Sequence, residues 1–302
     1  MKTIILLADQ GIPTHPAIWE RPRPLWNVAG KTILGHLLDL LMEVLADEAI
    51  FVVGASDEAV KEWIADHYPQ LEAHFVVQSE EVGQGQALAL CDAYLDQGGV
   101  LVVAGMVLVE AAFADLPDRG VAATFLSPPE TAVSTDPTAA IAWFRNGRSL
   151  YHTLQSLDPA ASLGDIRQAM QAQGAVIADK PAHFWLETHH PDTLLHANQR
   201  LLSLSYGATP DAIERSYAED FTVLPPVFID EEAYVEAAVI GPYASIHAGA
   251  VIKNAIVRHS IIAADAQVEN CILDGALVGE RAKITGKPAS FFIGDDSMVE
   301  TG

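Results

Sequence analysis

The chain has 302 residues, half of them hydrophobic and 19% charged, with 17 Lys+Arg against 40 Asp+Glu for a formal charge of −23. That composition is ample for a buried core and excludes a disordered chain. The shortage of cations excludes nucleic acid and anionic membrane surfaces as partners. The two cysteines, Cys91 and Cys271, form neither a CxxC pair nor a disulfide framework, which fits a reducing cytoplasm. No apolar stretch approaches the roughly 20 residues of a membrane helix, and residues 1–8 are too short for a signal peptide. The expectation is a cytoplasmic chain of two domains.

In chain order, an apolar run at residues 3–8 ends in a Gly/Pro-containing loop at 9–24. Ile33, Leu34, Leu37, Leu38, Leu41 and Leu45 then recur at helical spacing. A second apolar run at 49–53 stops at Gly54, and a helix follows to Tyr68 with Ser56 as its expected N-cap. A third run at 74–78 leads through a glycine-containing loop into a helix over 84–95, and a fourth lies at 99–104. Apolar strands alternating with amphipathic helices predict an α/β domain with a mainly parallel sheet. Its ligand crevice lies beyond the carboxyl ends of the strands, hence in the loops after Ala8, Gln78 and Ala104.

The pattern changes after about residue 225. Ile240, Ile246 and Ile252 are six apart, as are Ile256, Ile262 and Val268, and Ile272, Val278 and Ile284. The three triplets repeat every sixteen residues, with Ala244, Ala250, Ala266, Ala276 and Ala282 between the aliphatics. Such a hexapeptide repeat predicts a parallel β-helix whose coils stack their aliphatics. The expected boundary divides 1–222 from 223–302.

Four stretches carry a family resemblance. They are Leu6-Leu7-Ala8-Asp9-Gln10-Gly11 with Pro22-Arg23-Pro24-Leu25 and Gly30-Lys31; Gln78 with Gly83-Gln84-Gly85; the strand from Val102 to Val107; and Trp185-Leu186-Glu187-Thr188 followed by Asp192 to Asn198. In this order, and followed by hexapeptide coils, they resemble the sugar-1-phosphate nucleotidyltransferases, which include uridylyl-, thymidylyl- and mannose-guanylyltransferases. The resemblance covers nearly the whole chain. It implies a Rossmann-like nucleotidyltransferase domain, a mainly parallel sheet flanked by helices, followed by a short left-handed parallel β-helix. It also implies attack of a sugar 1-phosphate on a nucleoside triphosphate, with pyrophosphate as leaving group and Mg²⁺ as cofactor. Arg23 and Glu187 take the catalytic positions; Ala8, Asp9, Gly11, Gln78, Gly83 and Gln84 take the nucleotide-binding ones; Glu187, with Asp9 as second candidate, takes the metal.

The chain departs from the family where two polyanions must meet, a step that needs cations and a metal on the phosphates. The first loop glycine is Asp9, the loop arginine is Pro13, and the metal-binding aspartate is Met106, a poor ligand for Mg²⁺. The family's lysine is Arg23 and its second aspartate is Glu187. The sugar-contacting Glu-Lys-Pro segment is missing between Leu126 and Ala140. Two readings stand: a degenerate relative that binds or regulates, or an active uridylyl- or thymidylyltransferase with a modified site. Gln78 pairs with a pyrimidine edge in one reading and satisfies backbone at a strand end in the other.

The expected partners are a nucleoside triphosphate or nucleotide sugar, and a homo-oligomer or a complex joined through the β-helix. His183, Glu187, His189 and His190 crowd one short stretch, but their spacing matches no helix-borne metal motif. His247 and His259 fall in the β-helix, where so few coils point to an assembly surface.

Overall fold

A computed structural model describes residues 2–8, 21–42, 44, 48–80, 82–104, 107–118, 120–130, 140–188, 190–204 and 220–287. The chain divides into two compact units, 1–201 and 202–302. Among the described residues no helix is long and apolar enough to cross a membrane.

The first unit runs β1 (Lys2–Leu6), a hairpin of β2 (Asn27–Val28) and β3 (Lys31–Thr32), α1 (Ile33–Leu41), β4 (Glu48–Gly54), α2 (Glu58–His67) and β5 (Ala73–Gln78). It continues with α3 (Gln84–Ala89), β6 (Val100–Ala104), β7 (Val107–Glu110), β8 (Ala123–Ser127), β9 (Ala140–Phe144), α4 (Gly147–Leu154), α5 (Leu163–Ala172), β10 (Ile177–Pro181), β11 (Phe184–Glu187) and α6 (Pro191–Ser203). Seven strands pair in the order β10-β8-β9-β6-β1-β4-β5. β9 is antiparallel to both neighbours and the remaining pairs are parallel. This is the mixed, mainly parallel sheet of a Rossmann-like nucleotidyltransferase domain.

The strands read as unbroken apolar runs because both faces are covered: Ile4, Ile50, Phe51, Val102, Val103 and Phe144 are inaccessible to solvent. The helix starts are chemically marked. Thr32 caps α1 by accepting the Gly35 N–H at 3.0 Å, and Ser162 with Asp165 forms a reciprocal capping box on α5. Ser56 does not cap α2. Asp57 occupies the N-cap and turns its carboxylate back to the Gly54 N–H, 2.8 Å away, closing the strand-to-helix turn instead of the helix end.

The second unit is a left-handed β-helix with three four-stranded parallel sheets. The strands are β12 (Phe221–Val223), β13 (Phe228–Ile229), β14 (Tyr234–Glu236), β15 (Ala238–Ile240), β16 (Ser245–Ile246), β17 (Val251–Lys253), β18 (Ile256–Arg258), β19 (Ile261–Ile262), β20 (Gln267–Glu269), β21 (Ile272–Asp274), β22 (Leu277–Val278) and β23 (Lys283–Thr285). A further coil, carrying Val223, Ile229 and Val235, precedes the three read from the repeat.

One inward assignment is corrected. Ile240 pairs with Val257, and Val257 with Leu273. Val257 is fully buried, whereas Ile256 and Ile272 are 36% and 66% exposed. The three coils read from the repeat hold adjacent aliphatics here, Val239-Ile240, Ile256-Val257 and Ile272-Leu273, so apolar spacing alone cannot choose which member faces in. Ile240 lies seventeen residues from Val257 but Ile246 sixteen from Ile262, so the register changes by one residue at the corner between Val257 and Ile261, where His259 takes a positive φ of 47°, and a one-residue slip exchanges the faces.

His247 is buried in this unit. Its ring lies 5.4 Å from the Phe228 ring, and its Nε2 has no hydrogen-bond partner. Burial pushes its pKa down to about 4, against a smaller opposing effect of the Asp230 carboxylate. Because the folded value is depressed below the unfolded value near 6.5, the contribution to stability is complete above about pH 6.5. It is lost as pH falls from there through about 4, a total of about 3 kcal/mol. In urea unfolding at pH 7.5 and 4.5, the wild type should lose about 2 kcal/mol more than His247→Leu; equal losses would contradict the assignment.

Candidate active site

The sheet topology places the expected crevice. β1 and β6 run side by side in parallel with Leu6 opposite Ala104, so their carboxyl ends open onto the same edge. Ala8 closes β1. Its N–H and that of Leu7 both donate to the Val52 carbonyl, at 3.0 and 2.8 Å. Asp9, Gly11 and Pro13 lie outside the described residues, as do Met106 and His189.

Glu187 ends β11, which pairs antiparallel with β7 so that Glu187 faces Val107. Of the two positions that the resemblance assigns to metal, 106 and 187, the pairing therefore places Glu187 opposite the first residue of β7, and 106 lies outside the described residues. Glu187 is 2% exposed. Mg²⁺ wants hard oxygens in octahedral array, commonly one or two carboxylates with substrate phosphates. Among the described residues Glu187 is the carboxylate at this place, and no group of three or more His, Cys, Asp or Glu side chains is close enough to hold a metal. The described donor set does not by itself build a Mg²⁺ site.

Arg23 belongs to a one-turn 3-10 helix, Arg23–Leu25, started by Pro22 and Pro24. It is buried, and its guanidinium sits 5.8 Å from the centre of the Trp26 ring. Trp26 is fixed in turn, its Nε1 donating to the Arg21 carbonyl at 2.9 Å.

The same segment is tied to the last motif. Ala29 and Gly30 both take positive φ, 47° and 89°, in the tight turn between β2 and β3. The buried Ala29 N–H donates to Oδ1 of Asn198, 2.9 Å away. Thus the Asn at the end of Asp192–Asn198 works as a tie between α6 and the first motif's hairpin, a role that spacing gives no sign of. Asn198→Ala leaves a buried N–H without an acceptor and is expected to cost about 2 kcal/mol in urea unfolding. A loss below about 0.5 kcal/mol would remove that role.

The segment resembling a nucleobase reader is turned inward. Gln78 ends β5 and is 1% exposed; its Nε2 donates to the Gly83 carbonyl at 3.2 Å and to Oε1 of Gln86 at 2.9 Å. Gln84 opens α3 and is 3% exposed; its Oε1 accepts the Leu163 N–H at 2.8 Å, at the start of α5. Residues 158–161 lie against the α3 amino end. Gly85 N–H donates to the Ala161 carbonyl and Gln86 N–H to that of Pro159, both at 2.8 Å. A Cβ at Gly83 would stand 2.6 Å from the Ala160 Cα. Gln78 Oε1 is buried with no hydrogen-bond partner among the described residues.

No family model matches the chain. A Bifunctional protein GlmU from Alkaliphilus oremlandii is 35% identical over 105 residues, 35% of this chain and 21% of the relative. The GlmU of Methanococcus maripaludis is 22% identical over 263 residues, 78% of this chain and 62% of the relative. The UTP–glucose-1-phosphate uridylyltransferase AglF of Haloferax volcanii is 27% identical over 103 residues, covering 34% of this chain and 42% of that protein. The chain thus spans less than two thirds of the length of these relatives. Among solved structures, HddC from Yersinia pseudotuberculosis superposes with a TM-score of 0.52 at 12% identity, covering 66% of this chain and 99% of HddC. A second HddC structure, complexed with GMP-PN, superposes with a TM-score of 0.51.

Proposed function

We propose that this relative of the sugar-1-phosphate nucleotidyltransferases binds a nucleotide or nucleotide sugar but is impaired in the standard transfer, and acts as a binding or regulatory protein. The observation that carries the reading is the burial of Gln78 and Gln84: Gln78 Nε2 and Gln84 Oε1 are bonded within the chain, and Gln78 Oε1 is buried without a partner among the described residues. A base entering here meets no exposed amide at either position to read its edge. Recognition then rests on the phosphates and on backbone, and the loss of the loop arginine at Pro13 and of the aspartate at Met106 weakens the transition state more than the ground state. The nucleotide in the second HddC structure supports binding as the retained property.

The test is calorimetry of the full chain with UTP, dTTP and GTP in Mg²⁺. Affinities within about threefold of one another are expected, since base discrimination needs hydrogen bonds worth about 1 kcal/mol or more each. A preference above about thirtyfold for one base would overturn the reading, as would the absence of heat with every nucleotide. On the same reading, the exposed Ile256 and Ile272 face of the β-helix is the surface through which a homo-oligomer or complex assembles.

A further inference from the structure

A cavity of about 350 Å³ is lined by His183, Trp185, His196 and Arg200, with Phe184 and Leu186 as apolar wall. His196 and Arg200 are four apart on α6 and share its exposed face, while Leu194, Ala197 and Leu201 bury the other. His183 precedes β11, and Trp185 lies within it. Among the described residues no carboxylate lines the cavity.

Two features set this place apart in a chain of 40 acidic residues. Arg148, Arg167, Arg258 and Arg281 each pair with a carboxylate, but Arg200 has no such partner among the described residues. The indole Nε1 of Trp185, a residue 3% exposed, is buried with no acceptor among them. Leaving a buried donor unmade costs about 1–3 kcal/mol, and a ligand oxygen would recover it.

We propose that this cavity is an anion site for a phosphate monoester. The guanidinium supplies a planar fork and the indole a single fixed N–H, while either imidazole can donate. Four donors, two from α6 and two from β11 and the residue that leads into it, suit a tetrahedral group with several terminal oxygens better than a carboxylate. The volume exceeds that of a bare phosphate, and the Phe184 and Leu186 wall accommodates the ester body. Trp185, Leu186 and His196 fall in the fourth stretch of the resemblance, but none of the cavity residues is among those assigned above to nucleotide or metal, so this inference does not rest on that reading.

The experiment is an NMR titration of ¹⁵N-labelled full-length protein at constant ionic strength, with inorganic phosphate in one arm and glycerol phosphate in the other. The indole Nε1–H peak that disappears in Trp185→Phe should shift saturably in both, with glycerol phosphate binding the more tightly. Arg200→Gln, at an exposed position, should weaken binding about tenfold or more, as expected for loss of a charge-assisted contact, while Glu187→Gln should leave it unchanged. A peak that stays in place, an affinity unaltered by Arg200→Gln, or an ester no tighter than phosphate would overturn the proposal. Glu187→Gln probes the nucleotide crevice and Arg200→Gln this cavity, so failure of one reading is distinguishable from failure of the other.

Discussion

Gly241→Ala is expected to destabilise the β-helix unit by about 4 kcal/mol, combining left-handed backbone strain of about 1–2 kcal/mol with overpacking of about 1–3. Gly241 follows β15 at φ +104°, and its N–H donates to the Val257 carbonyl at 2.8 Å. A Cβ there would overlap the Leu224 carbonyl oxygen and stand 2.6 Å from Cγ1 of Val227. Gly275 separates the two causes. It has φ +70°, and a methyl added there would meet nothing within 4 Å, so Gly275→Ala carries the backbone strain alone, about 1 kcal/mol. Urea midpoints of the two variants should differ by the overlap term; equal losses would show that coil packing at Gly241 is looser than described.

Gly83→Ala is the second large effect, and it bears on function. The φ of Gly83 is 160°, extended backbone open to any residue, so the need for glycine comes from the approach of Ala160. A methyl there drives residues 158–161 off the α3 amino end and breaks the Gly85–Ala161 and Gln86–Pro159 hydrogen bonds. The expected loss is about 3 kcal/mol, with faster hydrogen exchange at the Gly85 and Gln86 amides. If Gly83 were required only for a ligand to approach, the variant would keep its stability and exchange protection and lose nucleotide affinity alone.

The legibility of the sequence follows from which forces leave a periodic trace. Burial on both faces writes itself as unbroken apolar runs, so the strands that open the crevice and their order with the helices were readable. The hexapeptide spacing likewise exposed the β-helix, because every inward aliphatic must meet another one coil away. Choosing between Ile256 and Val257 was beyond that signal, since both are apolar and a one-residue difference in corner length decides which turns inward. Local caps were partly visible: Ser162 with Asp165 fits a known pattern, whereas Asp57 serves Gly54 in a way that Ser56 obscures. Long-range polar ties leave no trace at all. Nothing near Asn198 names Ala29 as its partner, 169 positions away, and nothing near Gln84 names Leu163. The candidate site was therefore legible as a set of departures, at Pro13, Met106 and Glu187, while the inward turn of its glutamines came only from three-dimensional packing.

Pyrophosphate release by the full chain, in Mg²⁺ with UTP or dTTP and a panel of sugar 1-phosphates, tests the impaired-transfer reading most directly. Two charge contacts removed at about 3 kcal/mol each predict a rate about 10⁴-fold or more below that of an active uridylyltransferase assayed beside it. Turnover within about a hundredfold of that enzyme with any pair, abolished by Glu187→Gln, would contradict the account.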